Sequence, residues 1–265
     1  MAAHSMLLPA ALLLAAPLAA SPLRAQGVEY ALGSSSYHVS TATKGTQTSP
    51  MGNQEFDVGV EQRITVNIAR QAKDTLIATL TIDSISLKSS GPTPDVSRYQ
   101  GTKFTSKLSP TGRVYSTKGP EGADVLLGQL SESIARFLPT YRRDLHPGLT
   151  WSDSTTGKAM QQGMEVDRTI IADYIVTGDT SIAGEKAFAV KRHTSSKAAG
   201  SGSPGGNAVS LLSATRSDAS FVLSPRGVYL GGTSNDDIDL TLTIVAQGAE
   251  INVRQKAVQT VQRIR

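Results

Sequence analysis

Apolar residues stand at every second position over Val58, Val60, Ile64, Val66 and Ile68, with Gln62 interrupting them and Thr65 and Asn67 on the alternate positions. A period of two puts one side of a strand into a core and the other into water, so the pattern predicts a half-buried β-strand over 58–69. Leu76, Ala78, Leu80 and Ile82 repeat that period within 75–88. Folding the two runs about Ala72 sets Ile68 against Leu76, Val66 against Ala78 and Ile64 against Leu80, uniting one apolar face. The same pairing places Arg70 across from Asp74 at the mouth of a three-residue loop. Beyond Ile82 the apolar phase slips by one residue to Ile85 and Leu87, as a β-bulge in a curved sheet produces.

A second hairpin is written near the end of the chain. Ile238, Leu240, Leu242, Ile244 and Ala246 alternate with Asp239, Thr241, Thr243 and Val245, and Gln247-Gly248 suits a two-residue turn. That turn pairs Ile244 with Ile251 and Leu242 with Val253. Further strands are expected at roughly 101–108, 112–117, 149–156, 164–177, 185–194, 208–223 and 227–233. One segment departs from the period of two: Ala123, Leu126, Leu127, Leu130, Ile134, Phe137 and Leu138 recur at spacings of three and four between Gly119-Pro120 and Pro139. They predict an amphipathic helix over 121–138, with Glu121 and Asp124 at its start and Arg136 at its end, as the helix dipole prefers. A lone helix with a wide apolar stripe must cover a sheet face. The fold class expected is therefore mainly β, a large curved antiparallel sheet, half-barrel-like, with one central amphipathic helix.

Two stretches echo each other: Leu108-Ser109-Pro110-Thr111-Gly112 leads to Val114-Tyr115, and Leu223-Ser224-Pro225-Arg226-Gly227 leads to Val228-Tyr229. Proline presets φ for a tight turn and glycine supplies its exit, so each copy suits a chain reversal between strands. Either a strand-rich half has been duplicated, or two independent hairpins share one turn chemistry. Thr194 to Asn207, TSSKAAGSGSPGGN, has no apolar anchor and reads as a loop between strands.

The start of the chain carries an address. Met6 to Leu18 is an almost unbroken apolar run, too short to span a bilayer and of the length of a signal-peptide core, although no Lys or Arg precedes it. Small residues follow, with cleavage expected after Ala25, or alternatively after Ala20. A signal peptide over 1–25 predicts a periplasmic or secreted protein, and no later segment reaches the ~20 apolar residues of a spanning helix. The remaining 26–265 reads as a single β-rich domain, or as two halves, 26–118 and 140–265, joined by the 121–138 helix. There are no cysteines, so neither disulfides nor thiolate metal sites contribute.

The net charge of +4 is spread without a dense basic run, which speaks against nucleic acid as a partner. Candidate chemistry is sparse. His38, His146 and His193 lack metal-ligand spacing, no G-x-S-x-G occurs, and the glycines of 200–206 lack the lysine of a phosphate loop. Asp236, Asp237 and Asp239 form the densest acidic cluster, read as a solvated strand entrance rather than a calcium loop. Arg142, Arg143 and His146 make a small basic patch, and Trp151 is expected to pack at the start of a strand. No enzyme activity, cofactor or metal is expected.

An export signal, long meanders, a Leu-rich helix, then Leu138-Pro139 and Pro147-Gly148-x-x-Trp151 opening a second meander resemble bacterial envelope domains of unknown function and the lipoprotein-carrier half-barrels of the LolA/LolB type. The chain departs from them in showing one helix rather than several and in lacking an anchor cysteine. The resemblance implies a non-catalytic protein whose curved sheet, lidded by a helix, takes a lipid or acyl chain. The expected lining is Val58, Val60, Ile64, Val66, Ile68, Leu76, Leu80 and Ile82 on the sheet with Leu126, Leu127, Leu130 and Ile134 on the helix. The alternative is a structural or protein-interaction module of the envelope whose sheet faces are filled by its own side chains.

Overall fold

A computed structural model describes residues 27–264, apart from 92, 121–124, 162–163, 183 and 204–206. The expected signal segment lies outside the described residues, as do Ala123 and the acidic pair Glu121 and Asp124. Eleven strands form one antiparallel sheet: β1 Gly33–Ser49, β2 Gly52–Ala72, β3 Thr75–Ser89, β4 Lys103–Leu108, β5 Val114–Lys118, β6 Thr150–Gln161, β7 Met164–Ile182, β8 Glu185–Gly202, β9 Val209–Leu223, β10 Tyr229–Ile244 and β11 Ala249–Arg263. One helix, α1 Val125–Ala135, interrupts the series. The order across the sheet is β5-β4-β3-β2-β1-β11-β10-β9-β8-β7-β6. The sheet is thus an open, curved half-barrel whose first and last strands meet in its middle. The segment carrying α1 connects one edge, β5, to the other, β6.

The two hairpins form with the expected faces and a corrected register. Val66 pairs with Leu80, Ile68 with Ala78 and Arg70 with Leu76, two residues away from the pairing drawn about Ala72. Only Lys73 and Asp74 form the turn, and Gln71 is an extra residue on β2. Arg70 is consequently not opposite Asp74; it donates to the Lys73 carbonyl at 2.8 Å. At the other hairpin Leu242 pairs with Ile251 and Leu240 with Val253, because Val245–Gly248 makes a four-residue loop rather than a two-residue turn. A shift of two preserves the face of every side chain, so alternation could not distinguish these registers. The bulge expected after Ile82 is present, with Asp83 as the extra residue between Ile82 opposite Ile64 and Ser84 opposite Arg63.

Two other expectations are corrected. The 194–207 segment is largely strand: β8 runs to Gly202, with Ser196 paired to Thr215 and Ala198 to Ser213. Backbone ladders on both sides replace the missing apolar anchors, and Gly200 fits where a Cβ would lie 2.5 Å from the Glu165 carbonyl oxygen. Likewise the strands expected at 227–233 and from Ile238 onward merge into one continuous strand, β10 Tyr229–Ile244, so the aspartates lie within it and not at its entrance.

The core forms where α1 crosses the sheet. Leu130, Ile134 and Leu138 are buried against Ile64, Val66, Leu80, Ile82 and Phe104. The helix ends at Ala135, before the expected 138, and Phe137 lies beyond its end, edge-on to Tyr37 and Tyr229 at 5.3 and 6.1 Å. The Tyr37 hydroxyl donates to the Tyr229 carbonyl at 3.0 Å.

The two echoing turns have one geometry. In each the serine N–H donates to the carbonyl four residues on, the glycine N–H donates back to the serine carbonyl, and the serine Oγ accepts a backbone N–H. Together they grip residues 27–31: Tyr30 N–H donates to the Pro110 carbonyl and Ala31 N–H to the Gly227 carbonyl. Glu29 of this strap meets Arg143 at 2.7 Å and Arg70 at 3.0 Å.

Candidate functional site

Strand alternation gives the sheet two chemically different faces. The outer face is laced with charge. One cross-strand row runs Arg216, Asp237, Lys256, Lys44, Asp57, and the next includes Asp239, Arg254 and Glu55. Lys44 meets Asp57 at 3.2 Å, Arg254 meets Asp239 at 3.5 Å and Lys256 meets Asp237 at 3.7 Å. These groups line a depression of about 870 Å³. Charges paired across strands in water make a solvated surface, and such pairs contribute little to stability.

The inner face carries α1 and divides into three zones. Nearest the helix, Ile64, Val66, Ile68, Leu76, Leu80 and Ile82 are at most 8% exposed, with Leu130 and Ile134 packed on them. These eight of the expected lining residues lie in a closed core. Val58 and Val60 on β2, and Leu126 and Leu127 on the helix, stay half-buried. A polar belt follows, in which Thr194, Ser217, Asp236 and Thr43 lie in one inner-face row. Furthest from the helix, Met164, Val166, Ala198 and Leu211 form a second buried cluster, with Val209, Leu240 and Leu242 packed against it. Ile251 and Val253 continue this zone across β11 and are half-buried.

On the inner face the apolar residues left half-buried lie beyond the helix, while the more exposed Ile171, Ile175, Leu212 and Val258 stand on the outer face. The β10–β11 alternation was legible as a hairpin, but nothing in it distinguishes a covered face from an open one. Arg168 and Arg192 also belong to the inner face; counting by twos from Val190 would have placed Arg192 there.

The remaining candidates are accounted for as surface groups. His38 pairs with Glu61 at 2.9 Å and His193 with Asp218 at 2.8 Å, both exposed on the outer face. His193, with Ser152, Asp173 and Asp218, borders an open depression of about 710 Å³. Asp236 faces inward while Asp237 and Asp239 face outward, so the three carboxylates cannot converge on one ion. Among the described residues no group of three or more His, Cys, Asp or Glu could hold a metal. Arg142 donates two bonds to Asp144 at 2.9 Å, holding that carboxyl below its usual range. Arg143 is engaged by Glu29. Trp151 opens β6 and stacks on Tyr174 at 4.6 Å with the rings 4° from parallel. The titrations most strongly shifted belong to the core phenols: burial raises Tyr30, Tyr141 and Tyr229, and pushes Tyr37 up to about 12. No helix among the described residues is long and apolar enough to cross a membrane.

No protein-family model and no curated protein matches the sequence. Among solved structures, an outer membrane lipoprotein-sorting protein domain from Vibrio parahaemolyticus aligns over 86% of this chain and 85% of its own, at 8% identity and a TM-score of 0.19. The COG4313 outer membrane channel from Pseudomonas putida F1 aligns over 92% and 99%, at 7% identity and a TM-score of 0.23. A DUF1329 family protein from Desulfovibrio piger aligns over 82% and 83%, at 8% identity and a TM-score of 0.17. Likenesses at this level carry no argument, and function is argued from the chain's own geometry.

Proposed function

We propose that this chain is an exported, non-catalytic binding protein that carries a lipid or other hydrophobic ligand on the inner face of its open sheet. The observation that supports this reading is the contrast between the faces. The outer one sets cross-strand ion pairs around the scattered exposed side chains Ile171, Ile175, Leu212 and Val258, while the inner one, core-lined near α1, keeps Val58, Val60, Leu240, Leu242, Ile251 and Val253 half-buried where α1 does not reach. Apolar walls bind by area: burying roughly 300 Å² gains ~7 kcal/mol before association costs, enough to hold an acyl chain with little selectivity for its length.

The closed core under α1 favours a second reading, an interaction module of the cell envelope. In that case the outer edge of β6, which no described strand pairs, would receive a partner protein.

The test is native mass spectrometry of exported protein, with lipid extraction, for the wild type and for Val60→Glu and Leu240→Glu. The carrier reading expects a bound mass that both variants lose while their melting temperatures stay near that of the wild type. A clean unliganded spectrum and an empty extract from wild-type protein overturn it. Crosslinking in cells that captures a defined partner under those conditions supports the interaction module.

A further inference from the structure

The covered core leaves a recess at the end of the helix. Arg136, just past α1, and Arg192 of β8 line a cavity of about 60 Å³, with Ser234, Gln259 and the rings of Phe137 and Tyr229 around it. That is room for several waters, the scale of a single charged head group. Arg192 occupies an inner-face position between Tyr174 and Ala219 in the ladder. Its Nε is buried with no hydrogen-bond partner, and so is Oγ1 of Thr194, the next inner-face residue on β8. Arg192 meets the neutral phenol of Tyr174, and no acid forms an ion pair with it among the described residues. Buried donors are almost always satisfied, and a guanidinium whose charge no acid matches is costly.

The surroundings do not neutralise it. Arg136 is engaged by Glu132 at 3.0 Å. Arg168 donates to Ser196 at 3.3 Å, and burial together with the neighbouring Arg136 weakens its hold on its proton. Asp153 and Asp236, the acids on the inner face of nearby strands, pair with none of these arginines among the described residues. The planar fork of an arginine matches a carboxylate or a phosphate, and such charge-assisted bonds are the strong ones.

We propose that this recess seats the anionic head, a phosphate or carboxylate, of the hydrophobic ligand, with Arg192 as its principal contact and Arg136 beside it. The inference rests on the carrier reading. From Ser234 at the recess, Leu240 lies six residues along β10, roughly 20 Å at the strand rise, so a chain leaving the head group crosses the polar belt and ends on the far apolar zone.

The experiment measures binding of matched amphiphiles to the chain from Gln26 onward, below their micelle concentrations: dodecyl phosphate, dodecyl glucoside and inorganic phosphate. Wild-type protein should prefer dodecyl phosphate to the glucoside by about tenfold or more. Arg192→Gln should erase that preference and leave glucoside affinity within about twofold, while Arg192→Lys keeps part of it. If Arg192→Gln fails to fold, Arg136→Gln, on the exposed helix end that lines the same recess, carries the test and should reduce the preference by a few fold. Equal affinity for the two amphiphiles overturns the head-group assignment and spares the carrier reading; binding of neither overturns both. Inorganic phosphate competing as well as dodecyl phosphate also overturns the assignment, since the recess would then be a site for the free anion.

Discussion

Gly227 and Gly101 share a φ of +78°, and replacing each by alanine separates backbone strain from steric exclusion. Strain at this angle costs roughly 1 kcal/mol for an L-residue at either position. At Gly101 a new Cβ meets nothing within 4 Å, so strain is the whole effect. At Gly227 it would fall 1.6 Å from the Glu29 carbonyl oxygen, and the strap of residues 27–31 must leave. With the strap go the Val28 bond to Arg143, the Ala31 bond to Gly227, the Tyr30 bond to Pro110, the Tyr30 hydroxyl bond to Pro139 at 2.7 Å and the burial of a ring that is 3% exposed. At ~1 kcal/mol per bond and ~2 kcal/mol for the ring, Gly227→Ala should cost about 6 kcal/mol more than Gly101→Ala. That is a large part of the stability of an ordinary domain. Urea melts of both variants measure it, with the slope checked so that a changed midpoint reports stability alone. Equal losses in the two proteins would show that the strap is not locked by this turn.

Other substitutions probe the core. Leu130→Asp places an unpaired carboxylate where α1 packs on the sheet and should lower stability by several kcal/mol in a thermal or urea melt. Val66, 2% exposed, has no room to grow, so Val66→Phe should destabilise by about 1–3 kcal/mol without changing any bound lipid. Burial raises the Tyr37 phenol to about 12, whereas in the unfolded chain it ionises near 10. Its contribution is complete below about pH 10 and is lost as pH rises towards 12. Tyr37→Phe should therefore cost ~1 kcal/mol at neutral pH, through the bond to Tyr229, and show a shallower alkaline decline in melting temperature.

Alternation made some of the fold legible. Val58 to Ile68 and Leu76 to Ile82 announced their strands because a sheet with one covered face demands a period of two, and the slip to Ile85 announced the bulge. The register was not legible, since turn chemistry at Lys73-Asp74 and Val245–Gly248 decides between pairings that bury the same residues. β1 was invisible: of its inner-face positions only Tyr37 and Val39 are large and apolar, and the others include Thr41, Thr43, Gly45 and Gln47. Its neighbours β2 and β11 hold it by backbone ladders, which the side-chain pattern does not record. The same holds for the small residues of β8 from Ser195 to Gly202. As for the candidate site, the strongest apolar periodicity marks the surface that α1 covers, so it points to the core. The open part of the inner face mixes leucines with serines, threonines and glutamines, and only the placement of the helix separates the two.

The meeting of β1 and β11 decides how far the two halves of the chain can be separated. β1 pairs with β11 from Tyr37 opposite Arg263 to Thr48 opposite Asn252, so the seam between first and last strands is as long as an ordinary hairpin. The strap that precedes β1 is held at once by the Ser109 and Ser224 turns, one from each half. Cutting the chain within 119–139 removes no ladder, yet the fragments 26–118 and 140–265 would each expose a long unpaired strand edge, and the strap in the first would lose its anchors at Arg143 and Gly227. Each fragment expressed alone should therefore aggregate or lack cooperative melting, and co-expression should restore a complex in which the β1 and β11 amides are protected from hydrogen exchange. The helix is absent from both fragments, so the complex should be weaker than the intact chain by the burial of Leu130, Ile134 and Leu138, at ~2 kcal/mol each. A 140–265 fragment that folds cooperatively alone, with β11 protected, would show that the seam joins two finished bodies and does not complete one.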